Sequence, residues 1–324
     1  MYQQIVVIGT GRVASRTLEA VLRLPDHPHV IAVEPEVPLT SALAGTCRRH
    51  GIPCSRITSR DALVRFFEKL PARTLVLSAH NVFLFPAALA ADERLTIVNF
   101  HNSLLPRHRG RNAPSWALFE MDPWAGISWH RVNAAIDEGN ILCQRRIQPD
   151  WNTTALGLTQ TLVDLGLKSL EALLPDLLAG TQKSARDGGR RDACTTRTPD
   201  LVAGTLKSTP QDSNVVPAFH RSSEVPNQGI LDPSWPLAQA SAFLRALDFG
   251  KLPLFPQPRV RLDGKERLIT GYRLTAETDD AALDRHARQS AAELRYCDAG
   301  LRLTVSLASP AAVSVHHQPV LSQG

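Results

Sequence analysis

Strand-like and helix-like segments alternate through the first hundred residues of this 324-residue chain. Residues 5–8 form an apolar run typical of a buried strand, and residues 15–24 follow with the spacing of a helix. The same alternation predicts further strands at 30–33, 74–78 and 95–100 and further helices at 39–50 and 60–70. Strands that alternate with helices form a mostly parallel sheet with helices on both faces. The first domain is therefore predicted to be α/β, with a doubly wound sheet.

A glycine pattern, Gly9-Thr-Gly11-Arg-Val-Ala14, lies between the first predicted strand and its helix. In Rossmann-like sheets, small residues at this turn let a dinucleotide pyrophosphate approach the helix. Glu34 follows the second strand, where such folds carry an acidic residue. An NAD-dependent oxidoreductase is therefore one interpretation. The same small residues also suit any tight turn from a strand into a helix.

Three polar residues suggest a different chemistry. Alternation along a strand places Asn99 and His101 on one face. An amide N–H and an imidazolium N–H held together can donate to an oxygen that becomes negative during acyl transfer. A carboxylate such as Asp137 can orient the imidazole, raise its pKa and accept a proton from an amine. This set of residues predicts acyl transfer to nitrogen.

Four segments together closely resemble the folate-dependent formyltransferase family, whose pattern is Asn-x-His-x-Ser-Leu-Leu-Pro with a later Asp-x-Gly. They are Asn99-Phe-His101-Asn-Ser103-Leu-Leu-Pro106, Arg109-Gly110, Gly126-Ile-Ser-Trp-His130 and Ile136-Asp137-Glu-Gly139. The likeness covers residues 1 to about 180. It implies that Asn99, His101 and Asp137 form a catalytic triad. The implied reaction transfers a formyl group from the co-substrate 10-formyltetrahydrofolate to an amine.

The same resemblance implies where the folate binds. Residues 80–86 correspond to the loop that surrounds the pterin ring, and they directly follow a predicted strand. They are expected at the carboxyl edge of the sheet, where open α/β folds bind ligands. The residues assigned to folate binding are Asn81, Val82, Phe83, Leu84, Phe85, Ser103, Leu104, Pro106, Glu138 and Gly139.

The composition changes near residue 180, where polar residues, Gly and Pro replace the apolar periodicity. We predict a catalytic domain at 1–180, a partly disordered linker at 181–227 and a small β-rich domain at 228–324. Disorder is expected at 184–212, a helix at 234–247, and strands at 259–264, 266–271, 301–306 and 312–316. This last domain loosely resembles the carboxyl-terminal barrel of methionyl-tRNA formyltransferase, a member of the family.

Composition limits the other classes of function. Lys and Arg number 36 against 31 Asp and Glu, and this mild excess does not by itself indicate nucleic-acid binding. The five cysteines form no Cys-x-x-Cys pair, so we expect reduced thiols, no metal site and a cytoplasmic location. Because the chain opens on a strand pattern, we expect no leader, and its longest apolar run, at 82–91, contains Pro86 and is too short to cross a bilayer.

The acceptor is the least determined part of the function. The segments 110–116 and 129–130 resemble formyltransferases of natural-product assembly and amino-sugar modification, so a small amine, an amino sugar or a carrier-bound amino acid is favoured. Transfer RNA is possible but not favoured, because Glu34 and Glu36 occupy a place that is basic in methionyl-tRNA formyltransferase. Hydrolysis of formyltetrahydrofolate and a catalytically inactive binding module are further alternatives, although the complete triad argues against the second.

Overall fold

A computed structural model describes residues 2–36, 42–70, 73–179, 210–276, 288–289, 292–298 and 300–308. The chain divides into two compact units. The first consists of Met1–Pro114, Pro123–Pro149 and Leu158–Ser222, and the second of Ser115–Asp122, Asp150–Gly157 and Ser223–Gly324. Two short internal segments, Ser115–Asp122 and Asp150–Gly157, therefore belong to the second unit. No single cut in the chain separates the two units. In the part of the chain that the structure describes, every helix is too short or too polar to span a bilayer.

The first unit is built on a seven-stranded sheet in the order β3-β2-β1-β4-β5-β7-β8. Neighbours from β3 to β5 are parallel, whereas β5 with β7 and β7 with β8 are antiparallel. A separate two-stranded pairing joins β6 to β9. The strands are β1 (Gln4–Gly9), β2 (His29–Pro35), β3 (Cys54–Ile57), β4 (Thr74–Ala79), β5 (Leu95–His101), β6 (Arg109–Gly110), β7 (Ala125–Arg131), β8 (Ile141–Ile147) and β9 (Phe219–His220).

Helices follow most strands of the large sheet, as the alternating pattern predicts. They are α1 (Gly11–Leu22), α2 (Ala42–His50), α3 (Arg60–Glu68), α4 (Ala87–Ala90), α5 (Ala113–Phe119) and α6 (Ala155–Ala179). The predicted α/β class and mostly parallel sheet are confirmed. The first three positions of the helix predicted at 39–50 lie outside the described residues.

The sheet explains which strands the sequence pattern revealed. All residues of β1 and β4 are buried, so both appear as continuous apolar runs. Strand β3 lies at the sheet edge and exposes its central residues, so it lacks that signal. Strand β8 forms the opposite edge and contains Gln144, Arg145 and Arg146. Neither edge strand was predicted, because edge strands need not be apolar.

The second unit contains a six-stranded sheet in the order β10-β11-β12-β15-β14-β13. Its elements are β10 (Ile230–Leu231), α7 (Leu237–Leu247), β11 (Arg259–Leu262), β12 (Lys265–Ala276), β13 (Arg288–Gln289), β14 (Glu293–Asp298) and β15 (Leu301–Leu307). Phe243 and Leu244 of α7 share a buried cluster with Val260, Leu303 and Val305 of the sheet.

The β-rich character predicted for this half is confirmed, including the turn at Asp263 and Gly264 between β11 and β12. Strand β14 was missed because exposed residues interrupt its apolar pattern. The strand predicted at 312–316 and the disorder predicted at 184–209 lie outside the described residues. Residues 210–212, the end of the predicted disordered stretch, are described, and Gln211 makes several hydrogen bonds.

Candidate functional site

The carboxyl end of β5 places Asn99 and His101 on the same face, as strand alternation predicts. Asn99 lies opposite His130 of the antiparallel strand β7, and His101 lies opposite Ser128. Phe100 points to the other face, where its ring centroid lies 5.1 Å from that of Trp129. The polar face of two neighbouring strands therefore forms one side of the site.

The amide of Asn99 is fixed by two neighbours. The hydroxyl of Ser78, at the end of β4, donates to Asn99 Oδ1 at 2.7 Å. Asn99 Nδ2 lies 3.2 Å from His130 Nε2. Because an amide nitrogen carries two hydrogens, Asn99 retains the capacity to donate to a substrate oxygen.

His101 is buried and held through one of its ring nitrogens. Its Nε2 donates to the backbone oxygen of His108 at 2.8 Å, which places a hydrogen on that nitrogen. Its Nδ1 lies 3.7 Å from Asp137 Oδ2. The nitrogen beside the carboxylate is therefore the one that is free to gain or lose a proton.

Burial lowers the pKa of His101 below its ordinary value, although the Asp137 carboxylate and the His108 carbonyl act in the opposite direction. The sequence-based expectation that Asp137 raises the pKa of this imidazole is confirmed, but the sequence did not indicate the larger, opposite effect of burial. Removal from water outweighs the attraction of one carboxylate. The neutral imidazole is favoured in the absence of a substrate charge.

Asp137 lies between two imidazoles. Its Oδ1 is 3.4 Å from His130 Nε2, and its Oδ2 accepts a 2.9 Å hydrogen bond from the backbone N–H of Gly110. Burial alone would raise the pKa of Asp137, but His101, His130 and the Gly110 N–H together hold this pKa well below its usual range. Asp137 is therefore a carboxylate at neutral pH.

His130 contacts two of the three predicted catalytic residues. Its Nδ1 lies 2.9 Å from the backbone oxygen of Arg131, so this nitrogen is the donor, and Nε2 faces Asn99 and Asp137. The sequence analysis placed His130 in a segment that resembles the family but did not include it in the triad, and it did not select Ser78. The register of β5 between β4 and β7 brings both residues to the amide of Asn99, and a single sequence does not specify that register.

A second histidine pair supports the backbone that holds His101. His108 Nδ1 lies 3.0 Å from His220 Nε2, and the two buried rings stack with centroids 5.2 Å apart. Neither histidine was predicted as a site residue, because 112 positions separate them in the chain.

The loop expected to surround the pterin connects β4 to α4 at the carboxyl edge of the sheet, as predicted. Asn81 shapes this loop: its Nδ2 donates to Phe83 O, and its Oδ1 accepts from Phe83 N. The backbone oxygen of Val82 accepts from Arg111 Nη2 at 2.9 Å. The side chain of Asn81 is therefore used within the loop itself.

The apolar members of that loop differ in exposure. Phe83 and Phe85 pack partly against the core of the first unit, and the Phe85 ring lies 5.8 Å from that of Phe67. Leu84 is 52% exposed. Leu84 is the loop side chain most accessible to a ligand, whereas the two phenylalanines also serve the core.

Three further predicted folate residues lie in the turn after β5. Ser103 is buried, and its hydroxyl donates to Arg107 O at 2.6 Å. Leu104 packs where residue 126 is glycine: a Cβ there would lie 2.3 Å from Leu104 Cδ2. Pro106 is also buried. These residues shape the turn, and their contact with folate remains a prediction.

Glu138 and Gly139 follow the catalytic carboxylate. Glu138 is exposed and pairs with Arg109, with Nη1 to Oε1 at 2.6 Å. A Cβ at position 139 would lie 1.7 Å from Arg131 O, so the fold itself requires Gly139. Folate binding by these two residues likewise stays a prediction.

The acidic residue that suggested a dinucleotide site has a structural role. Glu34 is 1% exposed, and its Oε1 accepts hydrogen bonds from the backbone N–H groups of Leu43 and Ala44 at the start of α2. Gly9 is required because a Cβ there would lie 1.8 Å from Ala79 O. The fold therefore accounts for these features without a bound dinucleotide.

The same finding changes the argument about transfer RNA. Glu34 is buried within the fold, whereas Glu36 is exposed. Of these two acidic residues, Glu36 is therefore the one that a phosphate group can approach directly, and repulsion of transfer RNA stays a prediction.

Comparison with known proteins finds similarity over the segments that form this site. A family model described as formyl transferase matches residues 46–174, which include the three predicted catalytic residues. The chain carries a domain of the formyl transferase family. The motif around Asn99, His101 and Asp137 belongs to this formyl transferase domain, as the sequence resemblance indicated.

Two curated relatives show the range of this family. The chain is 28% identical over 191 residues to GDP-perosamine N-formyltransferase of Brucella melitensis, covering 59% of this chain and 62% of the relative. It is 29% identical over 188 residues to methionyl-tRNA formyltransferase of Desulfotalea psychrophila. This match covers 55% of this chain and 58% of the relative. The chain thus spans about three fifths of the length of these curated relatives.

A solved structure extends the likeness in fold beyond the formyl transferase domain. An N-formyltransferase from Helicobacter canadensis, solved in complex with folinic acid and dTDP-3-aminofucose, has a TM-score of 0.68 to this chain. The match covers 95% of this chain and 100% of that one at 14% identity. At this identity the match establishes the fold.

Proposed function

We propose that this chain transfers a formyl group from 10-formyltetrahydrofolate to the primary amine of a nucleotide-linked amino sugar. The observation that carries the proposal is the convergence of Asn99, His101 and Asp137 at the carboxyl end of β5. An amide donor, an imidazole and an ionised carboxylate are the groups that acyl transfer to nitrogen requires.

Formyl transfer to an amine begins when the amine nitrogen attacks the formyl carbon and the carbonyl oxygen becomes negative. The unengaged N–H of Asn99 can donate to that oxygen. A developing negative charge favours a proton on His101, which would then add a second donor. Collapse breaks the bond from carbon to the folate nitrogen, which takes up the proton that the amine released.

The pKa directions indicate which group receives the amine proton. Asp137 is a weak base because its pKa lies well below the usual carboxyl range. His101 is the better acceptor because its neutral form is favoured, and its Nδ1 faces the carboxylate that would stabilise the imidazolium. Asp137 then acts mainly by orienting and stabilising His101, whereas the sequence-based expectation gave this carboxylate a share in proton removal.

The acceptor class rests on relatives. GDP-perosamine N-formyltransferase, by its name, acts on an amino sugar carried by a nucleotide, and this chain is 28% identical to it over 191 residues. An amino sugar also lies within the class of small primary amines that the sequence favours. Methionyl-tRNA is a second candidate, supported by the relative that is 29% identical over 188 residues.

An acceptor panel tests the proposal. The protein is incubated with 10-formyltetrahydrofolate and either a GDP-linked 4-amino sugar, a dTDP-linked 3-amino sugar, methionyl-tRNA, free amino acids or no acceptor. Tetrahydrofolate release and the mass gain of one formyl group on the acceptor are measured. We expect both signals with a nucleotide-linked amino sugar, and product from methionyl-tRNA alone would overturn the acceptor class.

Two further outcomes would contradict formyl transfer itself. Equal tetrahydrofolate release with and without every acceptor would indicate hydrolysis. Thermal stabilisation by NAD(P) together with none by a folate would favour the oxidoreductase interpretation, because a bound ligand stabilises the state that binds it.

A further inference from the structure

Residues 211–220, which we call the strap, contact two loops of the candidate site within the first unit. At one end of the strap, Gln211 bonds to the loop that carries Asp137. At the other end, β9 pairs with β6 in the loop that follows His108. Between them, residues 212–214 are exposed.

Gln211 uses both ends of its amide. Its Nε2 donates to the backbone oxygens of Asp137, at 2.5 Å, and Gly139, at 3.1 Å. Its Oε1 accepts from Arg109 Nη2 at 2.9 Å, and the same guanidinium pairs with Glu138. The amide therefore joins two loops that both contribute to the site.

The backbone of Asp137 needs such support. Its φ is 53°, in the left-handed region that residues with a Cβ occupy at a cost. Residues held in this region persist where their surroundings determine the conformation. Gln211 bonds the carbonyl of Asp137, and the N–H of Gly110 bonds its carboxylate at 2.9 Å.

The other end of the strap positions Gly110, whose N–H donates to the Asp137 carboxylate. The N–H groups of Arg109 and Arg111 donate to the backbone oxygens of Ala218 and His220 at 2.8 and 2.9 Å. Gly110 lies between them with a φ of 89°, and a Cβ there would lie 2.3 Å from His220 O. The strap thus positions both loops that hold the Asp137 side chain.

We propose that Gln211 is a positioning residue that holds Asp137 in register with His101, so that this one residue of the strap forms part of the candidate active site. The catalytic part of this inference rests on the proposed formyl transfer. The structural part, the alignment of Asp137 with His101, can be measured without a substrate.

Two substitutions isolate the N–H donors of Gln211. Gln211→Ala removes the whole amide. Gln211→Glu keeps the length of the side chain and an oxygen for Arg109, but it places a carboxylate against two backbone oxygens. Asn214→Ala is the matched control, because it removes an amide from an exposed position of the same strap. Circular dichroism confirms that each variant is folded.

The first readout is steady-state kinetics with the acceptor identified by the panel. Both Gln211 variants are expected to lose roughly tenfold to a hundredfold in kcat with KM nearly unchanged, because misplacing a catalytic group affects the transition state more than binding. Asn214→Ala should match the wild type. A kcat for Gln211→Ala equal to that of the wild type, or an equal loss in Asn214→Ala, would overturn the proposal.

The second readout is the titration of His101, followed by NMR with labelled histidine. The Asp137 carboxylate raises the pKa of His101 against the effect of burial. Loosening Asp137 is therefore expected to lower this pKa further in Gln211→Ala and not in Asn214→Ala. Gln211→Glu is left out of this readout, because its own negative charge would raise the pKa of His101. An unchanged His101 titration in Gln211→Ala would overturn the positioning role. If the wild type transfers no formyl group but the titration shifts, the proposed function fails and the positioning role stands.

Discussion

The hydroxyl of Ser78 donates a 2.7 Å hydrogen bond to the side-chain oxygen of Asn99. Ser78 is fully buried at the end of β4, directly beside Asn99 on the parallel strand β5. Because the carbonyl end of the amide is held by Ser78, the nitrogen end must face away from β4. The orientation of the proposed oxyanion donor is therefore set by a neighbouring strand.

Removing this hydroxyl should impair catalysis more than stability. In Ser78→Ala the amide of Asn99 can rotate, so we expect kcat to fall about tenfold, less than the roughly hundredfold cost of losing an oxyanion donor. KM should change little. Steady-state kinetics of formyl transfer measures both values.

Ser169→Ala provides the control for that prediction, because Ser169 is also buried and its hydroxyl donates to Leu165 O within α6. It should lower stability slightly and leave kcat unchanged. Equal kinetic effects of the two substitutions would show that Ser78 does not orient the amide.

Stability should fall as the solution becomes acidic, in part because of His80. Burial, Arg111 and His101 lower the pKa of His80 to about 4 from an ordinary value of 6.5. Between these pH values the unfolded chain binds a proton that the native protein does not. The contribution of His80 to the free energy of unfolding is therefore fully present above pH 6.5 and is lost as the pH falls towards 4. This contribution amounts to at most about 3 kcal/mol.

Urea unfolding at several pH values tests this dependence. His80→Gln removes the titrating group and should make the loss of stability below pH 6.5 shallower. His50→Gln, at an exposed position of α2, is the matched control for the change from histidine to glutamine. An identical slope in His80→Gln would exclude His80 as a source of acid sensitivity.

Gly166 should tolerate no larger side chain. A Cβ at this position of α6 would lie 2.1 Å from Cε2 of Phe100, which separates Asn99 from His101 along β5. Gly166→Ala should therefore lower the free energy of unfolding by roughly 1–3 kcal/mol through overpacking, and it should also reduce kcat.

The opposite result is expected for Gly45→Ala in α2, where the nearest atom to a new Cβ is Arg48 Nη2 at 3.9 Å. Alanine stabilises a helix interior by about 1 kcal/mol relative to glycine. Denaturant unfolding of the two variants compares the same substitution with and without a steric conflict. A stabilised Gly166→Ala protein would contradict the packing around Phe100.

The sequence revealed those parts of the fold and site that are local. Buried strands such as β1 and β4 are continuous apolar runs, and the shared face of Asn99 and His101 follows from strand alternation. Strands β3 and β8 were missed because edge strands expose polar residues. The carboxylate of Glu34, which suggested a dinucleotide site, instead accepts hydrogen bonds from backbone N–H groups of α2.

The remaining parts depend on contacts that are distant in the chain. Ser78 and His130 reach Asn99 through strand register, and Gln211 reaches Asp137 from 74 positions away. The pKa of His101 depends on how completely the fold excludes water, which the motif alone does not indicate. These features become predictable only when the packing of the first unit is known.

The most direct test of the account is the rate of formyl transfer by Asp137→Asn. Asparagine preserves the size of the side chain and tolerates the φ of 53°, but it lacks the charge that stabilises the His101 imidazolium. Asp263→Asn is the matched control, because Asp263 also has a positive φ, of 49°, in the turn between β11 and β12. We predict a loss of roughly a hundredfold or more in kcat for Asp137→Asn and none for Asp263→Asn. A folded Asp137→Asn protein that transfers the formyl group at the wild-type rate would contradict the account.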